Sequence, residues 1–492
     1  MTLITKQWLG LMWEERAQLK TTLYQYALDH HHQSSPNFIR NKLVKLVVDI
    51  ARLDWPHFYP DFFTNILQLI QNSETTVLGL VFLQTASEEL VCPWEDLSVS
   101  RKEELRRLLL AHIPQVFSIL TGSLLSSMLG TGRNASGGLD SDSEAVCCLA
   151  LSCLTHLFSW VPLSSYITPT LVAALFRLAS ISQGISQDEN QNVGTLAMGA
   201  INEIMYKNCV PASCEEFLLN IFQHAMQLMQ GLVHSGVLEH VDESFLEKLT
   251  EFLRLFVALH LHRLEDSNKF SHVRDFLTLL FKYTFHTGLE QFYRCLEVWS
   301  IFLDHMHIRG TPTERYQEAF VLLVQEILVK MQFKHNRSQL EELDDETLDD
   351  DEQTEWQRYL RQCIEIVAKV AELAPMETYG LVHDPWKDAS VVYLRLERAI
   401  DMQDGNENSR RLTVTESHEG LQLHCLLRDL SSLTQAVGRM YPHFIGQPFK
   451  PRFPHAQQLV SRLSVMAAYG IRLKLYHLQV SMPVLIADFI EV

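Results

Sequence analysis

The segment Phe38-Ile39-Arg40-Asn41-Lys42-Leu43-Val44-Lys45-Leu46-Val47-Val48-Asp49-Ile50-Ala51-Arg52-Leu53 runs directly into Asp54-Trp55-Pro56, and then into Pro60-Asp61-Phe62-Phe63-Thr64-Asn65-Ile66-Leu67-Gln68-Leu69-Ile70. In the first part Ile39, Leu43, Leu46, Val47 and Ile50 recur at three- and four-residue steps, with Arg40, Lys42, Lys45 and Asp49 on the remaining faces. This spacing predicts an amphipathic helix. The residue before a proline is driven out of the α region, so Asp54-Trp55-Pro56 predicts its end. Phe62, Phe63, Ile66, Leu67, Leu69 and Ile70 then predict a second helix, with Pro60 near its first turn, where the missing N–H costs little. Trp55, Pro56, Phe58, Phe62 and Phe63 are expected to pack as the corner between the two helices.

The plan recurs along the chain. Ser100-Arg101-Lys102-Glu103 reads as a capping box, and Ser213-Cys214-Glu215-Glu216 as the opening of another helix. Thr168-Pro169 and Thr311-Pro312 read as N-cap and first-turn pairs. Strand-like alternation with tight turns is nearly absent, and Asp404-Gly405 falls in a polar loop. Short-linked amphipathic pairs, two helices per roughly 40 residues, predict an all-α, HEAT-like helical-repeat superhelix, an α-solenoid. A large irregular helical bundle is the other arrangement this pattern allows. The expected divisions are N-terminal repeats over 1–120, a flexible Gly/Ser-rich insertion over 121–143, central repeats over 144–340, an acidic loop over 341–353 and further repeats over 354–492. Residues 182–194 and 403–420 are expected to be polar loops.

The 492 residues carry 41 Lys and Arg against 59 Asp and Glu, a net charge of −18. That balance opposes the basic, phosphate-gripping surface of a general nucleic-acid binder and favours basic partners. Nine cysteines, with no C-x-x-C pair, fit buried, reduced thiols rather than a disulfide framework or a metal site. Met1 to Lys6 shows no basic stretch leading into an apolar core, so no secretory signal is expected, and Asn134-Ala135-Ser136 is not read as a glycosylation site. Ala145 to Phe176 contains no Asp, Glu, Lys or Arg over 32 residues. Interruptions at Ser152, His156, Pro162 and Pro169 favour two buried helices over a membrane span.

Catalytic motifs are missing: there is no phosphate loop, no dinucleotide fingerprint, no nucleophile elbow and no H-E-x-x-H. An enzyme is not expected, and neither cofactor nor metal is implied. His30-His31-His32 reads as surface histidine, because neighbouring helical positions diverge by about 100° and no other ligands accompany them. The anomaly is Glu341 to Glu352, where nine of twelve residues are acidic, half the net charge of the chain. It reads either as a solvated inter-helix loop or as a docking site for a basic protein surface. A Ca²⁺ site is a third and weaker reading, since Asp349 to Glu352 lacks the spaced ligands and central glycine of an EF-hand loop.

Phe38-Ile39-Arg40-Asn41-Lys42-Leu43, leading to Asp54-Trp55-Pro56 and Phe62-Phe63, resembles the helix pair that marks the exportin branch of the importin-β superfamily. Leu157-Phe158-Ser159-Trp160-Val161-Pro162-Leu163, the stretch from Leu340 to Leu360, and Leu426 to Leu433 extend the resemblance over essentially the whole chain. It implies a nuclear transport receptor that binds the GTP form of Ran together with protein cargo, touches phenylalanine-glycine nucleoporins and shuttles between nucleus and cytoplasm, with no nucleic-acid or membrane partner. In the subgroup these segments most resemble, the implied cargo is actin, largely as profilin–actin. Asp344, Asp345, Glu346, Asp349, Asp350 and Asp351 match the character of acidic loops that touch Ran in related receptors. Family members are about twice this length, so the chain is expected to be a piece that begins within the first repeats and stops about halfway. A static helical-repeat scaffold is the alternative from another functional class.

Overall fold

The computed structural model describes residues 7–30, 36–91, 97–129, 139–163, 166–181, 192–211, 214–236, 238–266, 270–310, 313–345, 354–395, 400–402, 410–412, 418–444 and 449–472. They form two compact units, 1–273 and 274–492.

In the first unit the predicted helix pair is present. Ahead of it lies α1 (Trp13–Asp29), and α2 (Asn37–Asp54) ends at Trp55 as the proline requires. Next come α3 (Phe62–Gln71), α4 (Thr76–Val91), α5 (Val99–Leu129), α6 (Ser141–Trp160), α7 (Pro169–Ile181), α8 (Val193–Met205), α9 (Glu215–Ser235), α10 (Glu243–Leu255) and α11 (Leu261–Asp266). Alternate helices stack on one another: α2, α4, α6, α8 and α10 form one row, and α3, α5, α7 and α9 form a second. This two-row alternation is the packing of a helical repeat, in which each pair buries its apolar stripes against the next. The rows approach closely where α4 crosses α3. At Gly79 a Cβ would lie 2.6 Å from the Ile70 nitrogen, so only glycine fits.

Several boundaries differ from those read in the sequence. The cap of α5 is Ser98, whose hydroxyl accepts the Arg101 N–H at 3.3 Å, and the Ser100 box is not formed. Arg101 is drawn across to another helix instead. Residues 121–129, expected in a flexible insertion, continue α5. There Leu124 and Met128 are buried, and the hydroxyls of Thr121, Ser123, Ser126 and Ser127 each donate to the carbonyl four residues back. Helix α6 begins at Ser141 behind an Asp140 cap that accepts the Ser143 N–H at 2.7 Å, and residues 130–138 of the expected insertion lie outside the described residues. The uncharged stretch does form two helices, α6 and α7, and Thr168 caps the second by accepting the Leu171 N–H. By length and composition Val99–Met128 and Ser141–Trp160 could each cross a membrane. In α6, however, residues from Cys147 to Phe158 are packed against α4, α5 and α8.

A π-turn, Phe256–His260, joins α10 to α11. It places His260 to donate from Nε2 to the Met205 carbonyl at the end of α8, at 2.9 Å, and burial lowers the His260 pKa.

The second unit contains α12 (Phe270–His286, most of which belongs here), α13 (Leu289–Arg309), α14 (Gln317–Lys330), α15 (Phe333–Asp345), α16 (Glu355–Leu373), α17 (Pro375–Tyr393), α18 (His418–Met440) and α19 (Phe449–Arg472). Helices α13, α16 and α18 form one row, with α14 against α17 in the other. Helix α15 is an addition to the alternation and packs on α14, α16 and α18. Within the expected 403–420 loop, β2 (Arg410–Leu412) pairs antiparallel with β1 (Ile400–Met402) just before it, and α18 begins at His418. Asp404-Gly405 lies outside the described residues, as do Ser213 and Thr311-Pro312.

The thiols of Cys147, Cys148, Cys153, Cys214, Cys295, Cys363 and Cys425 are buried and unpaired by disulfides, whereas Cys209 is exposed. Burial raises Cys363 to about 12, which keeps it protonated.

Candidate functional site

The aromatic corner is built around the end of α2. Trp55, Phe62 and Phe63 are buried together, with the Trp55 and Phe63 ring centroids 5.7 Å apart and His112 of α5 against both. Phe58 departs from the expected packing. It is 56% exposed and faces Trp13 of α1 across 6.4 Å, because the turn after Pro56 carries it away from the helix interface.

Sequence reading missed the charged support beneath this corner. Asp54, only 2% exposed, accepts the Trp8 indole N–H at 3.0 Å and the Lys20 ammonium at 3.3 Å. Lys20 also donates to the Phe58 carbonyl at 2.6 Å and lies over the Trp13 and Tyr59 rings. From α5, Arg101 donates to the Arg52 carbonyl at 3.0 and 3.2 Å and to the Trp55 carbonyl, placing a cation over the last carbonyls of α2. Behind them Lys45, Asp49 and Arg52 of α2 form ion pairs with one another and with Glu89 of α4. These residues are far apart in sequence. The signal that could have found them is the sequence of charges inside an otherwise apolar helix.

The acidic segment begins as helix. Asp344 and Asp345 close α15, while Glu346, Asp349, Asp350 and Asp351 lie outside the described residues. The Asp344 carboxylate is already engaged: one oxygen pairs with Arg428 of α18, and the other accepts the Thr354 hydroxyl at 3.0 Å. Thr354 is in turn the N-cap of α16, in a reciprocal box with Gln357. Asp344 within the acidic run and Thr354 just after it are thus fastened at one place. The Arg428 guanidinium lies 3.8 Å from the centre of the Phe333 ring and 4.9 Å from that of Trp356.

Its neighbour Asp429 serves the opposite end of α15, accepting the Phe333 N–H at 2.6 Å and the Lys334 N–H at 3.1 Å. Burial raises Asp429 to about 6 and outweighs these two N–H bonds and the nearby Lys334 and Arg428 charges, which act to lower it. Asn336 interrupts α15 at φ −133° and donates to the Val329 carbonyl at 2.7 Å, tying the kink to the end of α14. Among the described residues no group of three or more His, Cys, Asp or Glu could hold a metal ion. His30 is half-buried, stacked on Tyr26 and bonded to its carbonyl.

Comparison with known proteins places this geometry. The Exportin 1-like protein family matches residues 36–192, the interval that contains the aromatic corner. Over the whole chain the sequence is 45% identical to Exportin-6 of Homo sapiens, covering 49% of that protein. The chain is similar to exportins along its whole length. It is also 43% identical to Exportin-6 of Danio rerio over its full length, covering 50% of that relative. It is 26% identical to Exportin-6 of Dictyostelium discoideum over 96% of its length. It therefore spans about half the length of the curated relatives it matches. Among solved structures, "Importin13 cytosolic state" superposes with a TM-score of 0.61 at 12% identity, over 92% of this chain and 54% of that one. That likeness shows the all-α, HEAT-like helical-repeat fold.

Proposed function

We propose that this chain is part of a nuclear export receptor that carries protein cargo, actin and profilin–actin, out of the nucleus together with Ran in its GTP form. The observation that supports this most is the match to Exportin-6 proteins at 43–45% identity over its entire length. The receptor shuttles between nucleus and cytoplasm, crossing the pore by weak contacts with phenylalanine-glycine nucleoporins that act together. No bond is made or broken by the chain. Ran and cargo each favour one arrangement of the helical repeats, so each raises affinity for the other. Asp345, Glu346, Asp349, Asp350 and Asp351 supply the negative surface that steers basic Ran toward it. Asp344, held by Arg428 and Thr354, anchors that surface.

The test is binding of the purified chain to Ran loaded with GTP or GDP, with and without profilin–actin. GTP-selective binding strengthened by profilin–actin is the expected result. Equal binding of the two nucleotide forms by a folded chain would point to a static helical-repeat scaffold, and no binding would place the switch in repeats that only a full-length relative contains.

A further inference from the structure

Helices α14, α17 and α18, with the start of α15, surround a groove of about 1140 Å³ within the second unit. Small-ligand clefts fall in the range of roughly 300–1,000 Å³, so this one is of a size for a segment of polypeptide. On α17 the lining residues Leu381, Asp384, Pro385, Asp388 and Val392 fall at positions i, i+3, i+4, i+7 and i+11, which makes a single helical stripe. The facing α14 contributes Leu328 and Val329, and α18 contributes Leu426 and Leu433. Val329 and Val392 are each 40% exposed, so the apolar surface is open to solvent rather than closed by the chain's own packing.

Two backbone features open the α17 wall further. Pro385 has no N–H, so the Leu381 carbonyl one turn back has no backbone donor at the usual i+4 position. Beside it Gly380 lines the groove, and a Cβ built there would meet nothing within 4 Å. The chain's own packing does not require glycine at this point. Its absent side chain leaves room for an incoming residue.

The charges are arranged by side. Asp384 and Asp388, both exposed and one helical turn apart, form the α17 lip, and buried Asp429 lies in the floor. Lys334 and Arg337, also exposed, form the α15 side, where Arg337 is shared with Glu341.

We propose that this groove docks an amphipathic helix of a partner protein, its apolar stripe on the floor and its Lys or Arg residues along the edge that meets Asp384 and Asp388. Stripes at helical spacing on the groove walls accept the ridges of another helix. The acidic lip and the basic α15 side fix its direction, and a basic edge laid on α15 would be repelled. The inference is independent of Ran and of the cargo assignment.

The test uses two fluorescein-labelled helical peptides of about 16 residues, with leucines on one face and lysines along one flank in the first, glutamates replacing the lysines in the second. Anisotropy titrations on the full chain are expected to show the lysine peptide binding about tenfold more tightly. Gly380→Leu introduces a better helix former where space is open, so the fold survives. It should weaken both peptides about tenfold by filling the space beside the α17 wall. Asp384→Lys with Asp388→Lys should transfer the preference to the glutamate peptide. Equal affinity of the native chain for the two peptides, or an affinity indifferent to Gly380→Leu, or an unchanged preference in the double charge reversal, would each overturn the proposal.

Discussion

Two buried carboxylates, Asp54 and Asp429, do opposite work. Asp54 sits at the C-terminal end of a helix, where the dipole disfavours an anion, and is held by a full cation, Lys20, and an indole N–H. Asp429 sits at the N-terminal end of α15, where the dipole favours an anion, and is held by two backbone N–H groups, with Lys334 and Arg428 nearby. The first closes a corner, covered by Trp55, Lys20 and Trp8. The second caps a helix that borders an open groove. The difference teaches that backbone N–H groups can hold a buried carboxylate in place without offsetting its burial in full, while Asp54 at the wrong end of a helix has a cation of its own.

The largest effect expected from this contrast comes from Asp54→Ala, which leaves Lys20 buried without its carboxylate. The loss should be about 3–5 kcal/mol of stability, read by denaturant unfolding. Combining it with Lys20→Met should recover a good part of that loss; no recovery would mean that the Trp8 bond, not the ion pair, carries the corner. Next, Arg428→Ala removes the Asp344 pair and two ring contacts together and should cost about 2 kcal/mol. Arg428→Lys should recover less than half, since an ammonium does not stack as a guanidinium does.

A smaller effect concerns pH. Asp429 has a folded pKa near 6 against an ordinary value of 3.8, so between these values the folded chain holds the proton more firmly than the unfolded chain. Its contribution to stability is therefore greatest in acid and declines as pH rises through about 6. Asp429→Asn should lack that decline: thermal unfolding from pH 4 to 7 should show the native chain losing about 1–2 kcal/mol relative to the variant. A variant that instead loses ground as pH rises would show that the two N–H bonds outweigh burial. Smallest of all, Gly380→Leu should stabilise the chain by about 0.5–1 kcal/mol, by helix propensity alone. A loss there would mean that the groove wall is tighter than its open space indicates.

The helical fold was legible because apolar spacing is a local signal: Ile39 to Ile50 and Phe62 to Ile70 each declare a face without reference to the rest of the chain. The end of α2 was legible for the same reason, since Pro56 acts on its immediate neighbour. The corner was half legible. Phe62 and Phe63 lie on a helix and followed its periodicity, whereas Phe58 lies in the turn, where no period says which way a ring points. Ser100 fits the capping-box pattern because Glu103 follows it by three, yet Ser98 caps the helix, with Arg101 reaching the α2 carbonyls 46 to 49 positions earlier in the chain. Residues 121–129 read as flexible only as part of 121–143, most of whose glycines follow Leu129, yet Leu124 and Met128 keep a four-residue step that extends α5. The Asp344–Arg428 and Asp54–Lys20 pairs were not legible at all, being separated by 84 and 34 residues.

Arg428 and Asp429 are adjacent on α18, yet one reaches the acidic end of α15 and the other its amide end, so a two-letter word is matched to the polarity of a whole helix. Transposing the two letters would leave length, composition, charge and mean hydropathy untouched. It would nevertheless set a guanidinium against two N–H donors and a carboxylate against Asp344. At this junction the information resides in order alone, and a comparison that scores residue content, however finely, would rate the working and the broken chains as the same protein.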